Sequence, residues 1–159
     1  MVKKILEEKL ENAIKAKDRD ATKDYFLELC KQDKLLEAEI ACFGKVTIKP
    51  NAYKNMGREL LKQGYINAAW ELNEEYNKIN SNNQDIFEES DIIQTLMVSF
   101  LDGEDERINQ INSFVQKHKS LAYNFLTEIR ISFLEMGKLK KAKEIGILVN
   151  EVYHPDKAL

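Results

Sequence analysis

Apolar residues recur along this chain at the three-to-four spacing of a helix that turns one face to a core, and short polar turns interrupt them. Ile5, Leu6, Leu10, Ala13 and Ile14 predict a first helix from about residue 2 to about residue 17. Asp18 and Asp20 are candidate caps for a second helix, whose stripe is Tyr25, Phe26, Leu29 and Cys30. After the turn Lys31-Gln32-Asp33-Lys34, the residues Leu35, Leu36, Ala38, Ile40, Ala41 and Phe43 predict a third helix ending at Gly44. Residues 45–49 alternate and are expected to form a short extended link, because Pro50 disfavours helix in the residue before it.

Pro50 suits the first turn of a fourth helix with Tyr53, Met56, Gly57, Leu60 and Leu61 buried, and Gly64 ends it. Tyr65, Ile66, Ala68, Ala69, Leu72, Tyr76 and Ile79 carry the pattern through a fifth helix, closed by the loop chemistry of Asn80-Ser81-Asn82-Asn83. A sixth helix is expected from Ser90 to Leu101. A seventh, begun by the acids after Gly103, runs to Lys117. An eighth spans Ser120 to Met136, and a ninth Leu139 to Tyr153 before Pro155. Gly57 and Gly146 fall inside helices, where glycine costs about 1 kcal/mol against alanine, so a close neighbour is expected at each.

Four of the turns share a signature. Asp33, Gly64, Gly103 and Gly137 are each followed five residues later by a small or aliphatic residue: Ala38, Ala69, Ile108 and Ala142. The turns are 31, 39 and 34 residues apart, a period that belongs to stacked helix pairs. The expected fold is all-α, a right-handed α-solenoid of about four antiparallel helix pairs, roughly 20–44, 51–80, 89–118 and 120–153, plus an N-terminal helix. The whole chain, 1–159, is read as one helical-repeat domain.

The unit from Asn51 to Ser81 resembles a tetratricopeptide repeat. Tyr53, Met56, Gly57, Leu60, Gly64, Ile66 and Ala69 fall where that family places a large aromatic, an aliphatic, a small residue, a large apolar residue, a turn glycine, an apolar residue and an alanine. The last unit keeps Leu126, Ile129, Phe133, Gly137, Leu139 and Ala142 but has Arg130 where the small residue belongs. The same residues are similar to pentatricopeptide repeats, an RNA-binding relative. That resemblance makes Asn55 a base-contacting position, with the loop near Asp85 supplying its partner.

Composition excludes more than it identifies. Apolar residues are 43% and charged residues 32% of a chain with six Gly and two Pro, a balance typical of helix-rich globular proteins. The first residues lack a signal-peptide core and carry acids that mitochondrial presequences avoid, and the apolar stretch Ile92–Leu101 is far short of a membrane span. Cys30 and Cys42 flank the Asp33 turn at heights about 9 Å apart, too far for a disulfide, and read as packed thiols of a reducing compartment. An intracellular setting follows, the cytoplasm first, with an organelle matrix left open.

No phosphate loop, dinucleotide fingerprint, nucleophile elbow or metal-ligand spacing is present, and His118 and His154 read as solvated side chains at helix ends. No catalytic residue, metal or cofactor is expected, no small-molecule substrate is evident, and the chain is not read as an enzyme. Charge carries the remaining signal. Residues 71–106 hold eleven acids and one base, a net −10, and residues 117–143 hold seven bases and two acids, a net +5. Lysines 138, 140, 141 and 143 crowd the start of a helix, where acids are preferred.

In the Asn51 unit, Lys54, Asn55, Arg58 and Lys62 lie away from the apolar stripe. The tetratricopeptide resemblance places them along a concave groove that in that family holds peptides. Lys54, Asn55, Arg58, Lys62, Lys138 and Lys141 are therefore the candidate partner-binding residues, and Lys54→Glu with Arg58→Glu is expected to weaken a protein contact. A solvated helix face is the competing reading. The expected role is a non-catalytic adaptor or structural subunit that binds protein. The alternative, an RNA-binding pentatricopeptide-like factor, is disfavoured by a pI of about 5.6, because nucleic-acid binders present a basic surface.

Overall fold

In the computed structural model of the chain, the backbone is described over residues 2–80 and 84–153, and side chains over 5–80 and 84–151. Among the described residues the only regular elements are helices: α1 (Val2–Lys15), α2 (Arg19–Lys31), α3 (Leu35–Cys42), α4 (Pro50–Lys62), α5 (Ile66–Asn80), α6 (Glu89–Asp102), α7 (Asp105–Lys117), α8 (Lys119–Glu135) and α9 (Leu139–Tyr153). The fold class is all-α, as the periodicity predicts. The expected loop at 81–83, the stop at Pro155 and the imidazole of His154 lie outside the described residues.

The backbone divides into two compact units. The first comprises Met1–Gln63 with Ala68–Ile86, and the second Gly64–Asn67 with Phe87–Leu159. In the first, α2 packs on α1, α3 and α4, and α1 also packs on α3. In the second, α6, α7 and α8 pack on one another and α9 lies along α8.

The local signals for helix ends behave as their chemistry dictates. The Asp18 carboxylate accepts from the Ala21 amide at 3.1 Å and caps α2. All four signature turn residues adopt positive φ: Asp33 60°, Gly64 89°, Gly103 71° and Gly137 75°. At Asp33 the amide of Lys34 bonds back to Leu29 O at 2.9 Å and that of Asp33 to Cys30 O at 3.0 Å. At Gly137 the amides of Lys138 and Gly137 repeat this on Phe133 O and Leu134 O. Paired bonds of this kind satisfy the last carbonyls of a helix before the chain reverses. Five residues on, Ala38, Ala69 and Ala142 are buried, whereas Ile108 is only half-buried, so the third unit shares the turn more than the packing.

The α4 stripe is buried as expected at Tyr53, Met56, Gly57, Leu60 and Leu61. Five apolar positions of the expected stripes are exposed: Ile5 and Ile79 at the ends of theirs, and three at α3, which differs most. Leu35, Ala38, Ala41 and Cys42 form its buried face, while Leu36, Ile40 and Phe43 are 66%, 64% and 86% exposed. Six of its eight residues are apolar, so periodicity alone does not tell the inner face from the outer. Residues 46–49 adopt neither helix nor strand and link α3 to α4. Helix α6 starts at Glu89 rather than Ser90, because Glu88 caps it and its amide bonds the Asp91 carboxylate at 3.2 Å.

Of the two helix-interior glycines, Gly146 has the close neighbour expected of it. A β-carbon on Gly146 in α9 would stand 3.3 Å from Nε of Arg130 in α8. Arg130, which stands where the tetratricopeptide resemblance expects a small residue, thus lies against the glycine of the following helix.

Candidate functional site

Cys30 and Cys42 are free, buried thiols in the first unit. Burial pushes both thiols above their ordinary 9.0, with Glu71 and Glu39 raising Cys30 further and Glu39 raising Cys42. Raised thiols are poor nucleophiles, so both act here as packing groups.

Next to Cys42 lies a set of interacting polar groups. The Tyr53 hydroxyl, on a residue 3% exposed, donates to Glu39 Oε2 at 2.8 Å and joins α4 to α3. Burial, followed by the Glu39 hydrogen bond, holds the phenol protonated far above its ordinary value. Burial also raises Glu39. The Tyr53 hydrogen bond opposes that rise, the Glu75 carboxyl adds to it by repulsion and a hydrogen bond, and Lys78 lowers it. Lys78 in turn pairs with Glu75 at 3.3 Å.

A second polar junction closes the first unit. Asn73, 1% exposed, accepts the Ile86 amide at 2.7 Å and donates to Asp85 at 3.0 Å, and Asn77 donates to the same Asp85 oxygen at 3.1 Å. Asp85 is therefore engaged in holding the chain after α5 against that helix.

A groove of about 630 Å³ lies in the first unit, formed by the end of α1, by α2, by the α3–α4 link and by α4. Its apolar floor is Ile14, Phe26, Cys42, Val46, Ile48 and Met56. The charged side chains around it are Lys17, Arg19, Lys23 and Lys45, with no carboxylate in the lining. Lys23 pairs with Glu59 at 3.2 Å. Local structure places these cations: Lys17 lies in the turn after α1 at φ 56°, Arg19 opens α2 beside the Asp18 cap, and Lys45 follows the Gly44 turn.

Of the six residues singled out from sequence, the groove takes in Asn55 alone. Asn55, Arg58 and Lys62 are exposed on α4 and Lys54 is half-buried there, all within an arc of about 100°. Lys138 is exposed at the entry to α9, and Lys141, half-buried, pairs with Glu144 at 3.4 Å. The groove's cations were missed because they come from α1, α2 and the link, each too sparsely basic to stand out. Their signal is the alternation Lys15-Ala16-Lys17-Asp18-Arg19, read as a helix end. His118 also differs from expectation: it is half-buried between α7 and α8, its ring 5.4 Å from that of Phe114.

Among the described residues, no three His, Cys, Asp or Glu side chains are grouped to hold a metal ion, and no helix is long and apolar enough to cross a membrane. Neither protein-family models, nor curated proteins, nor solved structures contain a match to this chain.

Proposed function

We propose that this chain is a non-catalytic helical-repeat subunit, of the right-handed α-solenoid kind, that mediates protein–protein contact within a larger assembly. The observation that carries this reading is the outer face of α3. Leu36 and Ile40 stand one turn apart on that helix, Phe43 follows them as its C-terminal cap residue, and all three are more than 60% exposed. Opposite its buried face the segment thus carries a second apolar stripe, flanked by Glu37 and Glu39, and a partner covering that stripe supplies the missing contact. Together the three side chains offer roughly 400–500 Å² of apolar surface, enough for the dry centre of an interface that buries about 800 Å² per partner.

The occupant is a helix of a partner protein with an apolar stripe of matching spacing. Glu37, exposed beside the stripe, favours basic residues along that helix's flank. The regular left-handed turns and the buried alanines after three of them support the repeat reading.

Affinity capture followed by re-binding of the purified partner tests the proposal. Ile40→Glu and Phe43→Glu each remove an exposed apolar anchor, and the partner's Kd is expected to rise at least tenfold with the helical circular dichroism unchanged. An unchanged Kd in both variants rejects the α3 surface. Light scattering that shows a wild-type dimer, dissociated by Phe43→Glu, rejects a separate partner in favour of self-association.

A further inference from the structure

We infer that the groove of the first unit is a second binding site, one that takes an acidic, amphipathic peptide segment. It is independent of the α3 surface, since none of Leu36, Ile40 or Phe43 lines it. Three features define the ligand.

The first is an open but mainly apolar cleft. A volume of about 630 Å³ over a floor that includes Phe26, Ile48 and Met56 suits several apolar side chains.

The second is charge. Every charged residue in the lining is a cation, and Glu59 answers only Lys23. Among the described residues, Lys17, Arg19 and Lys45 make no ion pair. Lys17, Arg19 and Lys45 are all exposed at the rim of one apolar mouth, where their like charges sum to a positive potential that an anionic occupant turns into attraction. A single carboxylate offsets one of the three. The surplus calls for two or three acidic groups on one apolar body, which a short peptide with alternating acidic and apolar residues supplies.

The third feature separates peptide from nucleic acid. Single-stranded nucleic acids are held by stacking bases on aromatic rings, and the lining contains one ring, Phe26. The remaining floor is aliphatic or sulfur-bearing and offers no stacking platform. Asn55, on α4, adds a side-chain amide that bonds an extended backbone or a carboxylate.

Fluorescence anisotropy with the full chain tests the site. The probe is a fluorescein-labelled peptide of about ten residues in which leucine and glutamate alternate. Its comparators are the same peptide with lysine for glutamate and an oligouridylate of equal charge. The acidic peptide is expected to bind at least tenfold more tightly than either. Lys45→Glu and Arg19→Glu are each expected to weaken it about tenfold; an acid at position 19 sits in the first turn of α2, where the helix dipole favours it, so the fold is kept. Val46→Asp, at a site already 39% exposed, is expected to weaken it comparably. Equal binding of the basic peptide, tighter binding of the oligouridylate, or full affinity in all three variants overturns the inference. Ile40→Glu, at a position outside the groove lining, is expected to leave the peptide's affinity unchanged, so the two surfaces fail or succeed separately.

Discussion

The hydroxyl of Tyr53 donates to the carboxylate of Glu39 at 2.8 Å, and this part-buried bond ties α4 to α3. Because burial raises Glu39, with Glu75 raising it further, its folded value lies above its ordinary 4.5. A raised value means that the folded state holds the proton more tightly than the unfolded chain. The associated stability is present in full below 4.5 and is lost as pH rises through the raised folded value.

Glu39→Gln keeps an oxygen to accept from Tyr53 and cannot ionise. The melting temperature of the variant, minus that of the wild type, is therefore expected to become more positive as pH is raised from about 4 towards neutrality. A difference that stays constant over this range removes Glu39 from the account.

Asn73 holds the chain after α5 through its carbonyl oxygen, which accepts the buried Ile86 amide at 2.7 Å. Asn73→Ala leaves that amide without a partner, and its desolvation is expected to cost about 1–3 kcal/mol in chemical denaturation. Asn73→Asp restores an acceptor but sets a second carboxylate against Asp85, so it is expected to recover little of the loss. Wild-type stability in the alanine variant would mean that water or another group satisfies Ile86.

Two glycines make opposite predictions. Gly64 has φ 89°, and a β-carbon there would approach the Arg107 side chain to 2.8 Å, so Gly64→Ala is expected to destabilise by about 1–2 kcal/mol. Gly146 is helical, and the atom it faces, Arg130 Nε at 3.3 Å, belongs to an exposed and flexible side chain. Gly146→Ala is expected to stabilise by up to about 1 kcal/mol, because the helix gains alanine's propensity and Arg130 can swing aside. Urea midpoints of the two variants, compared with wild type, check the opposite signs.

Helix placement and chain reversal were legible from the residues themselves, since both rest on short-range physics. The 3.6-residue period marks an apolar face, and a positive φ is accessible to glycine and, at Asp33, to a short polar side chain. The candidate site was legible only in part. Asn55 was named and reaches the groove, but Lys54, Arg58 and Lys62 do not line it, because an arc of about 100° on α4 spreads wider than one cleft.

Sequence by itself determined that the chain is helical, where most of its turns fall and that α4 buries Tyr53, Met56 and Leu60. Tertiary structure alone decided three things: that Leu36, Ile40 and Phe43 stay uncovered while Leu35, Ala38 and Ala41 do not, that Lys17, Arg19 and Lys45 meet around one mouth, and that Glu39 reaches Tyr53. The reason is one of range. Periodicity records which side of a helix is apolar. Whether another element covers that side, and which distant charges share its edge, depends on packing between segments far apart in the chain.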